Sequence, residues 1–302
     1  MNDSYNGIIC IDKPAGFTSF DVIAKLRGIL RMKKLGHSGT LDPMATGVLP
    51  VFAGAATRAV ELIPDKDKEY RASFRLGYVS DTLDCTGNVT ATGGTLPGEE
   101  ALREAAKAFV GEIMQVPPMY SAVQVNGQRL YDLARRGIEV ERTPRKVTVY
   151  YLDIPRYDPA TGEGEMILSC SKGTYIRSVI ADIGEKCGCG GIMTALRRTR
   201  ACGFTLDDCL TLEMVQAAAQ SGEVSSLFRP VENVWDYPAV TLDERCTRLY
   251  KSGVRLTSGQ KGMQEPERRD GYVKIYGCDG TFLALGRYEN SELRGVKNFF
   301  GA

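Results

Sequence analysis

GHSGTLDPMATGVLP, Gly36 to Pro50, breaks the periodic patterns on either side of it. Up to Gly47 it shows no sustained spacing of apolar residues and carries three glycines and a proline, so it reads as a loop. Loops with few apolar residues and special backbone demands often carry function. Working outward towards the N-terminus, Thr18 and Asp21 fit a capping box, and Val22, Ile23, Leu26, Ile29 and Leu30 recur at helical spacing. Before them, Gly7 to Asp12 (GIICID) reads as a short buried strand, followed by a turn punctuated by Lys13, Pro14 and Gly16. Towards the C-terminus, Tyr70, Ala72, Phe74 and Leu76 alternate with Arg71, Ser73 and Arg75. That is the period of a half-buried strand, with Tyr70 on its apolar face.

Farther out, Glu99 to Val110 predicts an amphipathic helix with Leu102, Ala106 and Phe109 inward and Gly111 as its C-terminal stop. Val147 to Ile154 and Met166 to Ser171 predict strands, and Thr174 to Lys186 predicts a helix through Ile176, Val179, Ile180 and Ile183. The pattern changes around Val234 to Pro238. Beyond it, Tyr272 to Tyr276 and Thr281 to Leu285 flank Cys278, Asp279 and Gly280, a hairpin signal with Asp-Gly at its tip. The expected class is α+β, with a large N-terminal domain and a small C-terminal β-rich one.

Composition bounds the function. A chain of 302 residues, 43% of them hydrophobic, can bury a real core. Its apolar runs fall short of the ~20 residues that span a bilayer. The first twenty residues do not read as a signal peptide, so the default location is the cytoplasm. Nine cysteines, an odd count spread from Cys10 to Cys278, read as free and mostly buried thiols. A net charge of +1 gives no global sign of a polyanionic partner, so any nucleic-acid surface must be local. Two stretches could supply one: Arg27, Arg31, Lys33 and Lys34, and Arg129, Arg135, Arg136, Arg142, Arg145 and Lys146. Charge runs of this kind are more often merely solvated.

One histidine, His37, excludes a multi-histidine metal site, and Cys187 and Cys189 lack the spacing of a zinc site. Neither a Walker lysine loop nor a strand-borne dinucleotide fingerprint is present. The expectation is chemistry by side chains alone, without metal or cofactor.

The Gly36 to Pro50 stretch resembles the catalytic loop of the TruB-type tRNA pseudouridine-55 synthases, in which the aspartate before the proline, here Asp42, is the catalytic residue. IDKPAGFTS (Ile11 to Ser19), KEYRASFRLG (Lys68 to Gly77), SDTLDCTG (Ser80 to Gly87), PPMYSA (Pro117 to Ala122), SKGTYIRS (Ser171 to Ser178) and LRRT (Leu196 to Thr199) resemble further motifs of that family, in its order. The resemblance implies a pseudouridine synthase catalytic domain over residues 1–236, built on a central, largely antiparallel sheet. It also implies an RNA-binding insertion at 119–146 and a PUA-like RNA-binding domain at 237–302. The tail ending GRYENSELRGVKNFF matches less sharply than the catalytic motifs. Two residues after PPMYSA the family usually has a lysine, and this sequence has Gln124.

Pseudouridine formation breaks the bond from ribose C1′ to the base nitrogen, turns the base and rejoins it through carbon five. A carboxylate can manage the positive charge that develops at C1′, as nucleophile or as electrostatic partner. Asp42 fits that need, although an isolated Asp-Pro is an ordinary turn. The detached base must be recaptured, so water must be kept out, and an apolar pocket with an aromatic wall is expected. By resemblance Tyr70 packs on the target base and takes a proton from sugar or base, and Leu196 lines the pocket from the other side. Both residue types would also suit a plain core.

Tyr175 and Arg177 lie two apart, which in an extended stretch puts both on one side. Resemblance makes Arg177 the partner of Asp42, a bidentate guanidinium that keeps the carboxylate ionised and lowers its pKa. By the same resemblance Lys13 and Pro14 shape the floor of the site, in a role as readily structural as catalytic. A stacked uridine must be extruded, at a cost of a few kcal/mol, and His37 is placed by resemblance near the flipped nucleotides. Arg129, Arg135 and Arg136, within the insertion, would touch phosphate.

The implied partner is the T-arm of tRNA, bound by a monomer with no obligate protein partner and no membrane. Three alternatives stay open. Relatives that work in a guide-RNA ribonucleoprotein share this catalytic domain, but the short N-terminus and the 119–146 segment favour a stand-alone enzyme. A non-catalytic RNA-binding protein would have little use for Asp42, Tyr70 and Arg177 together. A nucleoside hydrolase would call for a paired carboxylate, and none is obvious.

Overall fold

The computed structural model describes residues 5–269 and 271–300. In chain order the elements are β1 (Gly7–Lys13), α1 (Ser19–Leu30), β2 (Leu35–His37), β3 (Thr46–Ala53), β4 (Lys68–Leu76), β5 (Tyr78–Ser80), β6 (Val89–Ala91), α2 (Glu99–Lys107) and β7 (Gly111–Gln115). They continue with β8 (Gln124–Val125), β9 (Gln128–Arg129), α3 (Leu130–Arg135), β10 (Arg145–Tyr157), β11 (Glu163–Cys170), α4 (Ile176–Lys186), β12 (Gly191–Ala201), β13 (Phe204–Thr205) and α5 (Leu212–Ser221). The last part of the chain holds β14 (Ala239–Leu242), α6 (Glu244–Lys251), β15 (Leu256–Thr257), β16 (Met263–Gln264), β17 (Gly271–Tyr276), β18 (Phe282–Glu289) and β19 (Glu292–Asn298).

The main sheet runs β1-β3-β12-β4-β11-β10-β7, with β2 added to β3 and β13 to β12. Its pairings are antiparallel except where β12 meets β3, so the expected architecture is the observed one. Leu102, Ala106, Val179, Ile180 and Ile183, from α2 and α4, cover one set of inward residues that includes Tyr70, Ala72, Phe74 and Leu196. Val22, Ile23, Leu26 and Val215, from α1 and α5, pack on Ile9, Ile11, Leu49 and Val51 of β1 and β3. Among the described residues no helix is long and apolar enough to cross a membrane.

Local chemistry sets the boundaries. At Thr18 the capping box forms as its sequence predicts: Asp21 N donates to Thr18 Oγ1 at 3.0 Å and Thr18 N donates to Asp21 Oδ2 at 2.8 Å. The irregular segment is shorter than the Gly36 to Gly47 loop expected, because Leu35, Gly36 and His37 pair with Ala53, Phe52 and Val51. A backbone ladder there needs no apolar alternation, so periodicity does not reveal it. The helix expected to run to Val110 stops at Lys107, and Gly111 (φ 100°) opens β7 instead of capping α2. Phe109 N and Val110 N still donate to Ala106 O and Lys107 O, at 3.0 and 3.2 Å, in turns that prolong the helical signal.

A second sheet, β15-β19-β18-β17-β14-β16, forms the C-terminal β-rich part, and the 272–285 hairpin is its β17–β18 pair. Trp235 joins the two sheets. It is buried among Phe52, Ala55 and Ala59 on one side and Phe282, Leu285 and Phe299 on the other. Its Nε1 donates to Leu62 O at 3.0 Å.

Gly47, the second residue of β3, sits where the backbones of β3 and β12 come closest. Its φ is 103°, and a Cβ there would lie 2.2 Å from Arg198 O. Gly47→Ala should therefore destabilise the protein by roughly 2 to 3 kcal/mol, read as a lowered thermal midpoint. An unchanged midpoint would mean that β12 yields without strain.

Candidate active site

Asp42 opens a tight turn. Asp at the first position and Pro at the second suit such a turn, and Ala45 N closes it on Asp42 O at 3.0 Å. The turn is pinned on both sides. Leu41 N donates to Ser19 Oγ at 2.9 Å, which ties the residue before Asp42 to the first turn of α1. The residue after it is held by Gly16 N, which donates to Pro43 O at 2.9 Å, and by Lys13. Lys13 is fully buried, and its ammonium reaches Pro14 O at 2.9 Å, Pro43 O at 3.3 Å and Phe17 O. Burial pulls its pKa down to about 8, against the attraction of Asp42 and Asp21. Lys13 thus organises the backbone on either side of Asp42.

Arg177 approaches Asp42 from α4. Its Nη2 lies 3.2 Å from Asp42 Oδ2 and donates to Tyr120 O at 2.9 Å. Its Nη1 donates to Thr82 O at 3.0 Å and to Asp84 Oδ2 at 3.4 Å. The bidentate pair expected from the sequence is therefore replaced by a bridge: one buried guanidinium shared between two carboxylates. The expected lowering of the Asp42 pKa is also reversed. Burial pushes it above the ordinary value, Asp84 adds to the rise, and Arg177 and Lys13 oppose it without prevailing. Sharing its charge with Asp84 limits what Arg177 can offer Asp42. The Asp42 side chain nonetheless keeps 38% of its surface open, so a substrate can reach it.

Tyr70 and Leu196 belong to one buried cluster with Leu41 and Ala45, which lie on either side of the turn that Asp42 opens. Burial raises the Tyr70 phenol to about 12, with Arg198 opposing that rise. Tyr175 caps α4, where Arg177 is the second helical residue, so the alternation of an extended strand does not apply to the pair. The Tyr175 backbone is fixed from β7: its N donates to Gln115 Oε1 at 2.7 Å and its O accepts from Gln115 Nε2 at 3.0 Å. His37 ends β2, half-buried, with Nδ1 unpartnered. Burial first, and Arg198 second, lower its pKa, so the ring is neutral at pH 7.

Arg129, Arg135 and Arg136 stand on the 119–146 segment and are exposed. Arg129 Nη1 donates to Tyr131 Oη at 2.9 Å, and the Arg135 guanidinium lies 5.5 Å from the Tyr131 ring centroid. Arg129 and Arg136 line a hollow of about 370 Å³ with Gln124 and Asp132. The β8–β9 hairpin that carries Arg129 turns on Asn126 (φ 51°) and Gly127 (φ 78°). Asn-Gly is a strong hairpin signal that sequence reading could have used. Two further residues escaped that reading although their motifs were visible. Asp84, in SDTLDCTG, accepts from Thr82 Oγ1 at 2.7 Å and Thr86 N at 2.9 Å as well as from Arg177. Arg198, in LRRT, is fully buried beneath the loop that carries Asp42. Acidic and basic residues in such motifs look like surface until the fold closes over them.

The geometry has parallels in known proteins. The model of the TruB family pseudouridylate synthase N-terminal domain matches residues 27–176, and that of the tRNA pseudouridylate synthase B C-terminal domain matches residues 177–235. The tRNA pseudouridine synthase B of Clostridium tetani is 39% identical, over 97% of this chain and 99% of its own. Its counterpart in Heliobacterium modesticaldum is 43% identical over 88% and 84%. A chain in the crystal structure of a Cbf5-Nop10-Gar1 complex superposes with a TM-score of 0.70 at 27% identity, covering 97% of this chain and 85% of that one. With its site built around Asp42, Arg177, Tyr70 and Leu196 and relatives of this identity along nearly its whole length, the chain belongs to the TruB family of pseudouridylate synthases.

Proposed function

We propose that this chain isomerises the uridine at position 55, in the T-loop of tRNA, to pseudouridine, with Asp42 as the nucleophile. The observation that carries this reading is the Asp42 carboxylate on a pinned turn, paired with buried Arg177 and bordered by Tyr70 and Leu196. The C1′–N1 bond breaks, Asp42 stabilises C1′, the base turns, and a C1′–C5 bond forms. Carbon five loses its hydrogen to solvent and N1 gains one, so atoms and charge balance. Tyr70 and Leu196 hold the base between apolar walls, and the Tyr70 oxygen gives up its own proton to solvent before it takes one from sugar or base. No step draws on a metal or cofactor.

The test is direct. The purified chain is incubated alone with an unmodified tRNA transcript labelled at uridine carbon five, and label released to water is counted. One equivalent per tRNA is expected, and none from a transcript with cytidine at position 55. Release only on adding a guide RNA would favour the ribonucleoprotein reading that the likeness to the Cbf5-Nop10-Gar1 complex suggests.

The RNA itself is held by the insertion at 119–146, by His37 stacking on an extruded nucleotide, and by the C-terminal sheet as a PUA-like domain at 237–302. The enzyme acts in the cytoplasm as a monomer without an obligate protein partner. No ion pair occupies Arg129, Arg135 or Arg136 among the described residues, which supports their role at phosphate. Replacing Arg135 and Arg136 with alanine should flatten the dependence of tRNA affinity on salt, by a slope of about 0.7 to 0.9 per lost phosphate contact. An identical slope would place both in solvent.

A further inference from the structure

Arg198 is fully buried, and among the described residues no carboxylate pairs with it. Its Nε donates to Val48 O at 2.8 Å and its Nη2 to Gly39 O at 3.0 Å, which fixes both ends of the loop around Asp42. The remaining Nη1 is buried with no partner. A guanidinium so placed carries a heavy desolvation cost, and a buried donor left without a partner calls for an explanation.

The position of that nitrogen narrows its use. Tyr70 on β4 is the residue opposite Arg198 on β12, so the two side chains lie on one face as a cross-strand pair. Above the guanidinium, a Cβ on Gly39 would come within 3.1 Å of Nη1, so glycine leaves it room. The Arg198 charge also reaches His37, Lys13 and Lys68, each of which it makes a weaker base. The other titratable groups that act on Tyr70 are Asp42 and Cys170, and both work against charge on its oxygen. Arg198 is the group that works for it.

We propose that Arg198 is a positioning residue for the isomerisation, its unpartnered Nη1 holding the Tyr70 oxygen during proton transfer while Nε and Nη2 hold the loop that carries Asp42. This rests on the reading of Tyr70 as a proton carrier. An oxygen that takes a proton from the nucleoside must bear negative charge beforehand, and a donor already desolvated beside it needs no reorganisation.

The test is a double-mutant cycle on the full chain, with single-turnover label release from tRNA as the readout. Arg198→Met should slow the reaction in both backgrounds, because the loop loses its ties to Nε and Nη2, but by about 30-fold more when Tyr70 is present than when it is already phenylalanine. Arg198→Lys, which keeps a charge, should recover part of the loss and follows the same cycle should the methionine variant fail to fold. With 3-fluorotyrosine at position 70, the ¹⁹F titration should move to higher pH on Arg198→Met. Equal losses in both Tyr70 backgrounds, or an unmoved titration, would overturn the proposal. A Tyr70→Phe enzyme at the wild-type rate would instead sink the reading of Tyr70 on which it rests.

Discussion

Asp42→Asn should abolish turnover, by on the order of 10⁴-fold or more as for other essential nucleophiles, while tRNA affinity changes little. The amide matches the carboxylate in shape, and the turn that carries it is held through Leu41 N, Ala45 N and Pro43 O, none of which needs the charge. The substitution therefore isolates the chemistry. A variant retaining a tenth of wild-type activity would remove Asp42 from its role. The ionised form must attack, and burial lifts the Asp42 pKa. On acidification, activity should accordingly fall at a higher pH than an ordinary carboxylate would dictate, and recover as pH rises. A pH–rate profile flat down to the usual carboxylate range would contradict the burial argument.

Tyr70→Phe separates two roles of one ring. It keeps the apolar face and the stacking surface, worth ~1 to 3 kcal/mol per base, and removes the phenolic oxygen. Binding should survive. If the hydroxyl carries a proton, the rate constant should fall by ~10² to 10⁴, the range of general acid or base catalysis. Tyr70→Leu should add a binding defect, because the residue is buried in the wall with Leu196 and Leu41. Single-turnover measurements at saturating tRNA distinguish these effects. A wild-type rate for Tyr70→Phe would leave the residue as a wall, with Asp42 and Arg177 to account for the chemistry.

Much of this fold was legible because its signals are local. The capping box at Thr18, the alternation from Tyr70 to Leu76 and the Asp-Gly hairpin tip each depend on a few neighbouring residues. The site was legible in part. Asp42 and Arg177 could be paired by resemblance, but the sharing of Arg177 with Asp84 joins segments 93 residues apart, and no spacing encodes it. The pKa of Asp42 was misjudged for the same reason: desolvation is a property of the closed fold, whereas the attraction of an arginine can be imagined from sequence. Burial of Arg198 likewise depends on two strands meeting, since an arginine in LRRT is ordinarily a surface residue.

The seam at Trp235 bears on how such a chain could be shortened. Phe282 and Leu285 of the C-terminal sheet, and Phe299 just past its last strand, share one apolar cluster with Ile8 and Val48, which lie on the strands leading into Lys13 and out of the Asp42 loop. The Arg58 guanidinium donates across the same seam to Asn298 O at 2.8 Å. A chain ending near Trp235 would thus lose more than its last sheet. It would present a wetted indole and a greasy flank against the strands on either side of the Asp42 loop. Loss of the last sheet would then expose that flank and loosen the strands that frame Asp42 at once, and a gene encoding only the first part would need other side chains along that flank before selection could keep it.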